Sequence, residues 1–105
     1  MKLPQYKLKD VFVQVEAHVM PLIGGDSPHG LTKDENKVIA FQNVNRLNQR
    51  IGFLVRESSE NAGVMRILQT YVNSLTIGLK SDNIQQIRSA MTSIRNMINA
   101  LEASE

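Results

Sequence analysis

The sequence contains no cysteine. Disulfides, zinc–thiolate sites and cysteine nucleophiles are excluded together, and a small domain without such staples must rest on its core or on a partner subunit. Histidine is nearly as scarce. His18 and His29 are the only two, and neither has a second imidazole four residues away with which to share a metal on one helix face. No apolar run approaches the roughly 20 residues that a membrane span requires. The amino end, MKLPQYKLKD, lacks the apolar segment of a signal peptide, and neither end carries a lipidation motif. A cytoplasmic location is therefore expected. A dominant charge sign is also missing: 12 Lys and Arg stand against 10 Asp and Glu. The bases are scattered along the chain with acids among them, which argues against nucleic acid as the main partner.

What is present is an ordinary globular composition, 42% hydrophobic and 21% charged over 105 residues, enough for one domain with one core. There is no internal repeat or low-complexity tract. Apolar periodicity predicts four helices, near 7–20, 33–57, 60–79 and 83–102. In the last, Ile84, Ile87, Met91, Ile94, Ile98 and Leu101 alternate by three and four, a narrow heptad seam with Arg88 and Arg95 beside it. Ser81 or Asp82 is expected to cap its start. In the third, Val64, Ile67, Leu68, Tyr71, Val72, Leu75 and Leu79 share a face. Ser58 or Ser59 can cap that helix, and the short GLKSDN link at its end makes it an αα-hairpin with the fourth.

The second helix opens on Thr32-Lys33-Asp34-Glu35, a capping box, and its core face is Ala40, Phe41, Val44, Leu47, Ile51, Leu54 and Val55. Gly52 weakens this helix by about 1 kcal/mol relative to alanine. The first segment is ambiguous. Val11, Val13, Val15, Ala17 and Val19 alternate as in a strand, and β-branched residues favour one. Yet Leu8, Val11, Phe12, Val15, Val19 and Leu22 form a helical stripe, and nothing else in the chain could pair with a strand. Helix is preferred, ending near Met20 because Pro21 follows; a strand would imply pairing between subunits. The fold class is all-α, an antiparallel four-helix bundle with residues 21–31 as a surface loop.

Could that loop carry chemistry? Gly25-Asp26-Ser27-Pro28-His29-Gly30-Leu31-Thr32 has the spacing of a phosphate-binding loop. However, Leu31 stands where the lysine belongs, and Asp26 sits inside the supposed anion nest. Asp26, Ser27 and His29 contain the groups of a hydrolase, but three residues within four positions of a loop rarely hold the geometry. His18 lies at the margin of the first helix's stripe, the position of a packing residue. A phosphotransfer role for it lacks a neighbouring lysine or small residues. Asp34 and Glu35 are explained by capping, and Glu57 and Glu60 by solvent. No catalytic residue, cofactor site or metal site is therefore expected, and the loop reads as a connector.

Two surfaces remain. On the second helix, away from the core face, Gln42, Arg46, Gln49, Arg50, Phe53 and Arg56 combine an aromatic with arginines and amides, the composition of an interface. On the fourth, Arg88, Ser89, Ser93, Arg95, Asn96 and Ala100 form a weakly charged face of mostly small side chains, on which a second copy could dock. The expected function is a non-catalytic protein–protein interaction module, a small adaptor, regulator or chaperone, and a homodimer. The alternative is a nucleic-acid- or nucleotide-binding regulator using the arginines and Phe53 of the second helix.

Overall fold

The computed structural model describes residues 8–27, 30–57, 60 and 62–103, the side chains of 102 and 103 excepted. Among these residues four α-helices are present, α1 (Leu8–Val19), α2 (Lys33–Glu57), α3 (Ala62–Ser81) and α4 (Ile84–Ala103), with a 3₁₀ turn (Met20–Ile23) closing α1. No strand occurs among the described residues. The first segment is thus a helix. Leu8, Val11, Phe12, Val15 and Val19 are all buried, whereas Val13 is 46% exposed. The helical stripe, not the alternation, matches what the core takes in, and burial of that stripe outweighs the β-propensity of valine.

Each helix packs antiparallel on the next. Lys37 of α2 pairs with Asp82 at the end of α3 (2.9 Å), and Asn48 meets Asn73 lower down (3.4 Å). Ser74 of α3 accepts from Gln86 of α4 (3.3 Å). α1 packs chiefly on α2 and meets α4 more sparingly. There the contact is reinforced by arginines. Arg95 Nε donates to Glu16 Oε2 (3.0 Å), and Arg88 Nη2 donates to the Ile23 carbonyl (3.1 Å). The topology is an up-down-up-down bundle.

Local chemistry explains the boundaries. Pro21 has no amide proton for an α-helical bond, and the chain tightens into the 3₁₀ turn. Gly24 ends it at φ 103°, a left-handed conformation that glycine adopts without penalty. At the start of α2 the capping box forms in full: Glu35 N donates to Thr32 Oγ1 (3.1 Å) and Thr32 N donates to Glu35 Oε1 (2.9 Å). Between α3 and α4, Asp82 is left-handed (φ 53°) and the Asn83 amide reaches the Gly78 carbonyl (3.0 Å), which is a Schellman ending. Asn83 then caps α4, its Oδ1 accepting from Gln86 N (3.1 Å). This corrects the expected cap at Ser81 or Asp82. Asp82 is used by the α3 ending, and Ser81 Oγ donates back to the Ile77 carbonyl (2.8 Å). The expected caps Ser58 and Ser59 lie outside the described residues.

The capping box has a pH consequence. The Thr32 backbone N–H, and then its hydroxyl, stabilise the Glu35 carboxylate and lower its pKa below 4.5. A depressed folded-state value means the contribution is complete above the unfolded-state pKa and is lost as pH falls through the folded value. A carboxyl-carbon NMR titration should place the Glu35 midpoint below 4.5. In Thr32→Ala it should move part of the way back, since the backbone donor remains. A wild-type midpoint at the ordinary glutamate value would show that the box does not form.

The core centres on Leu47 and Ile51 of α2, Leu68, Val72 and Leu75 of α3, and Ile94 and Ile98 of α4, with Phe12 and Val15 of α1. Two expected faces need correction. In α3, Met65 is buried, while Val64 and Ile67 are 38% and 48% exposed. The apolar band of α3 is wider than the side that α2 and α4 cover, and the unbranched Met65 fits the junction. In α4, Ala90 is buried and Met97 packs on the core, while Ile84 is 49% exposed at the first turn. The narrow seam is therefore a conventional broad stripe.

Candidate functional site

The loop after α1 is held by one side chain. Asn36, wholly buried in the first turns of α2, donates through Nδ2 to Ser27 Oγ (2.9 Å) and to the Thr32 carbonyl (3.0 Å), with the Leu31 carbonyl at 3.4 Å. Ser27 Oγ in turn donates to the Leu31 carbonyl (2.6 Å). Because Nδ2 faces carbonyls, Oδ1 must face the other way, where it accepts from His18 Nδ1 (3.0 Å). His18 Nδ1 therefore carries a proton. This His18–Asn36–Ser27 relay joins α1, the loop and α2. The Gly25 amide, which a phosphate cradle would offer outward, donates instead to the Met20 carbonyl (2.7 Å). Pro28 and His29 lie outside the described residues.

The six α2 candidates do not form one surface. Gln42, Arg46, Gln49 and Arg56 are exposed, while Arg50 and Phe53 are half-buried. Arg46 turns to Asn43 Oδ1 (3.4 Å) on the flank toward α1. Gln49 and Arg56 fall on the other flank, in a shallow groove between α2 and α3 of about 460 Å³, lined also by Asn48, Gly52, Gln69 and Asn73. Asn48 Nδ2 donates to Asn73 Oδ1 across this groove (3.4 Å).

Three of the lining residues, Gly52, Gln69 and Asn73, were not anticipated as surface groups, because neither a glycine nor an amide on a helix carries a chemical signature of its own. A signal did exist. No acid occurs from Asn36 to Arg56 or from Ala62 to Ser81. The acids that intersperse the bases along the chain are elsewhere once it folds. The outer α2–α3 face has arginines (Arg56, Arg66) at one end and, at the other, Val38 and Ile77, 56% and 57% exposed.

The α4 candidates divide as well. Arg88 and Arg95 are engaged with the α1 side, as described above. Ser89, Asn96 and Ala100 are exposed and Ser93 half-buried. Ile67 shares a strip of α3 with Ser74 and Gly78, both of which touch α4. In the antiparallel register it lies level with Ser93 to Ile98, so an exposed isoleucine flanks the small side chains of α4.

Two other concavities are less open chemically. One of about 320 Å³ at the bundle end has Leu22, Leu79 and Ile87 for a floor, and Lys33 and Lys37 on a rim that also holds Asp34 and Asp82. Its charges are matched within the chain. The other, of about 260 Å³, lies under Arg88 and Arg95. Among the described residues, no cluster of His, Asp or Glu could hold a metal ion, and no helix is long and apolar enough to cross a membrane. Compared with protein-family models, curated proteins and solved structures, the chain has no significant match to any.

Proposed function

We propose that this chain is a non-catalytic protein–protein interaction module, a small cytoplasmic adaptor, regulator or chaperone, that acts by presenting helix faces and self-associates. The observation that carries the reading is the outer α2–α3 face. Cationic and amide side chains adjoin there, exposed apolar ones follow at the far end, and no other helix among the described residues covers them. That mixture suits an interface rather than a solvated flank. Self-association is assigned to the other side of α3, where Ile67 adjoins Ser93, Asn96 and Ala100 of α4; small side chains there permit close helix approach.

A second reading has one observation in its favour. The acid-free run through α2 and α3 would suit nucleic acid or a nucleotide, with Arg46, Arg50 and Arg56 on phosphates and Phe53 on a base. Against it, Arg50 and Phe53 are half-buried and Arg46 points to a different flank. A photo-crosslinking residue placed at Gln49 and, separately, at Ser89 tests both readings in living cells. A defined protein adduct from position 49 and a self-adduct from position 89 are expected. Nucleic-acid adducts from position 49, with binding that falls steeply in added salt, would install the second reading. Adducts from neither position would remove both.

A further inference from the structure

Gly52 is unexplained by the fold. Its backbone is ordinary helix, since the positive-φ glycines among the described residues are Gly24 and Gly30. A Cβ added there would meet Arg56 Nη1 at 3.7 Å and Gln69 Nε2 at 3.9 Å, which is normal contact. Alanine would fit and would strengthen the helix. What the missing side chain does provide is an open floor in the α2–α3 groove, with a guanidinium and a carboxamide at its edges. Close backbone approach to a ligand is one of the uses of glycine.

Resting on the interaction reading above, we infer that this groove seats a carboxylate of an acidic segment from a protein partner, with Arg56 and Gln69 gripping it over Gly52. Arg56 has no acid partner among the described residues, and its guanidinium already stands at the edge of the groove floor, beside Gly52. A guanidinium matches a carboxylate with two parallel hydrogen bonds. The surrounding amides of Asn48, Gln49 and Asn73 both donate and accept, as a peptide backbone does. A phosphodiester chain offers acceptors only, and no aromatic lines the groove to stack a base. A second copy of this face is a poor occupant too. It brings no carboxylate, so a two-fold contact would set arginines against arginines or against the Val38–Ile77 end.

The face also fixes what the partner segment looks like. Val38 and Arg56 are separated by about 27 Å along α2 at 1.5 Å per residue. An extended segment of about eight residues spans that distance, apolar at the Val38–Ile77 end and acidic at the Arg56 end.

Two octapeptide probes, one with paired leucines leading and paired glutamates trailing and one reversed, can be titrated into the nitrogen-labelled protein. At least one should shift the side-chain amides of Asn48, Gln69 and Asn73 saturably. Arg56→Gln should weaken it roughly tenfold, the loss of a charge-assisted pair. Gly52→Leu, which fills the floor with a good helix former, should weaken it while leaving the fold at least as stable. Arg88→Gln, on the α1 side, should change nothing. The inference is overturned if neither peptide moves the groove amides, if glutamine versions bind equally, if Arg56→Gln binds like wild type, or if an oligothymidylate of similar length binds the groove more tightly. If any of those occurs while position 49 still crosslinks to a protein, only the carboxylate seat is withdrawn. If the crosslink also vanishes, the interaction reading goes with it.

Discussion

Asn36→Ala is expected to lower the free energy of unfolding by about 3 kcal/mol, on the basis of several buried hydrogen bonds lost together and partners left unsatisfied. The side chain is fully buried and serves four groups at once: the Ser27 hydroxyl, the Leu31 and Thr32 carbonyls and the His18 ring. Alanine removes the acceptor of the His18 N–H and the shared donor of the loop, while the Thr32 carbonyl keeps the Asn36 backbone amide and the Leu31 carbonyl keeps the Ser27 hydroxyl. Asn36→Asp separates hydrogen bonding from volume. It keeps the shape and the acceptor for His18, but replaces the donor with a carboxylate oxygen aimed at carbonyls. It should destabilise at least as much at neutral pH. Urea unfolding at constant m-value measures both, and ring nitrogen shifts should report a protonated Nδ1 on His18 in wild type and its loss in Asn36→Ala. A change within about 0.5 kcal/mol, the range of ordinary surface substitutions, would mean that the relay does not hold the loop.

Gly78→Leu should cost about 3 kcal/mol or more by overpacking. Gly78 is buried where α3 crosses α4. A Cβ there would stand 3.1 Å from Ile87 Cγ1 and 3.2 Å from Ile87 N. A backbone atom at a helix start cannot rotate away as a side chain can, so the three further carbons of leucine, beyond a Cβ that is already tight, have no room. Gly78→Ala is the informative control. It gains about 1 kcal/mol of helix propensity and meets a contact only a few tenths of an ångström too short, so it should fall near wild type. A thermal melt in which leucine is tolerated as well as alanine would show that the two helices do not approach closely at this point. The contrast with Gly52, where leucine should leave stability intact, isolates packing from helix propensity.

How much of this could be read beforehand differs from helix to helix for physical reasons. α1 was ambiguous with a strand, but once taken as a helix its buried residues were legible, because the stripe of Leu8, Val11, Phe12, Val15 and Val19 is narrow and admits one orientation. α3 was legible as a helix but not in its rotation. Val64, Met65, Ile67, Leu68, Tyr71 and Val72 cover nearly half of its circumference, and only the positions of α2 and α4 decide that Met65 turns in and Ile67 out. In α4 the heptad spacing drew attention to six residues and away from Ala90 and Met97, whose burial depends on how the other helices approach α4. The capping box was legible because its two bonds are local. The groove was not, since Gln69 and Asn73 become meaningful only beside Gln49 and Arg56, across a helix pair whose register no single segment encodes. Asn36 was hidden for a related reason: its partners lie 18 residues back and within a loop.

The succession of antiparallel neighbours has a kinetic consequence. Nearly all the packing joins helices adjacent in sequence, so each successive contact closes only a short loop and loses little chain entropy. Chains built this way belong to the fast end of two-state folding, microseconds to milliseconds. The seam between α1 and α4 is the exception. It joins the first and last helices of the chain, it is the sparser contact, and its arginine bonds, which close the longest loops, are expected to form last. Mutations at Arg95 or Glu16 should therefore accelerate unfolding and leave the refolding rate nearly untouched.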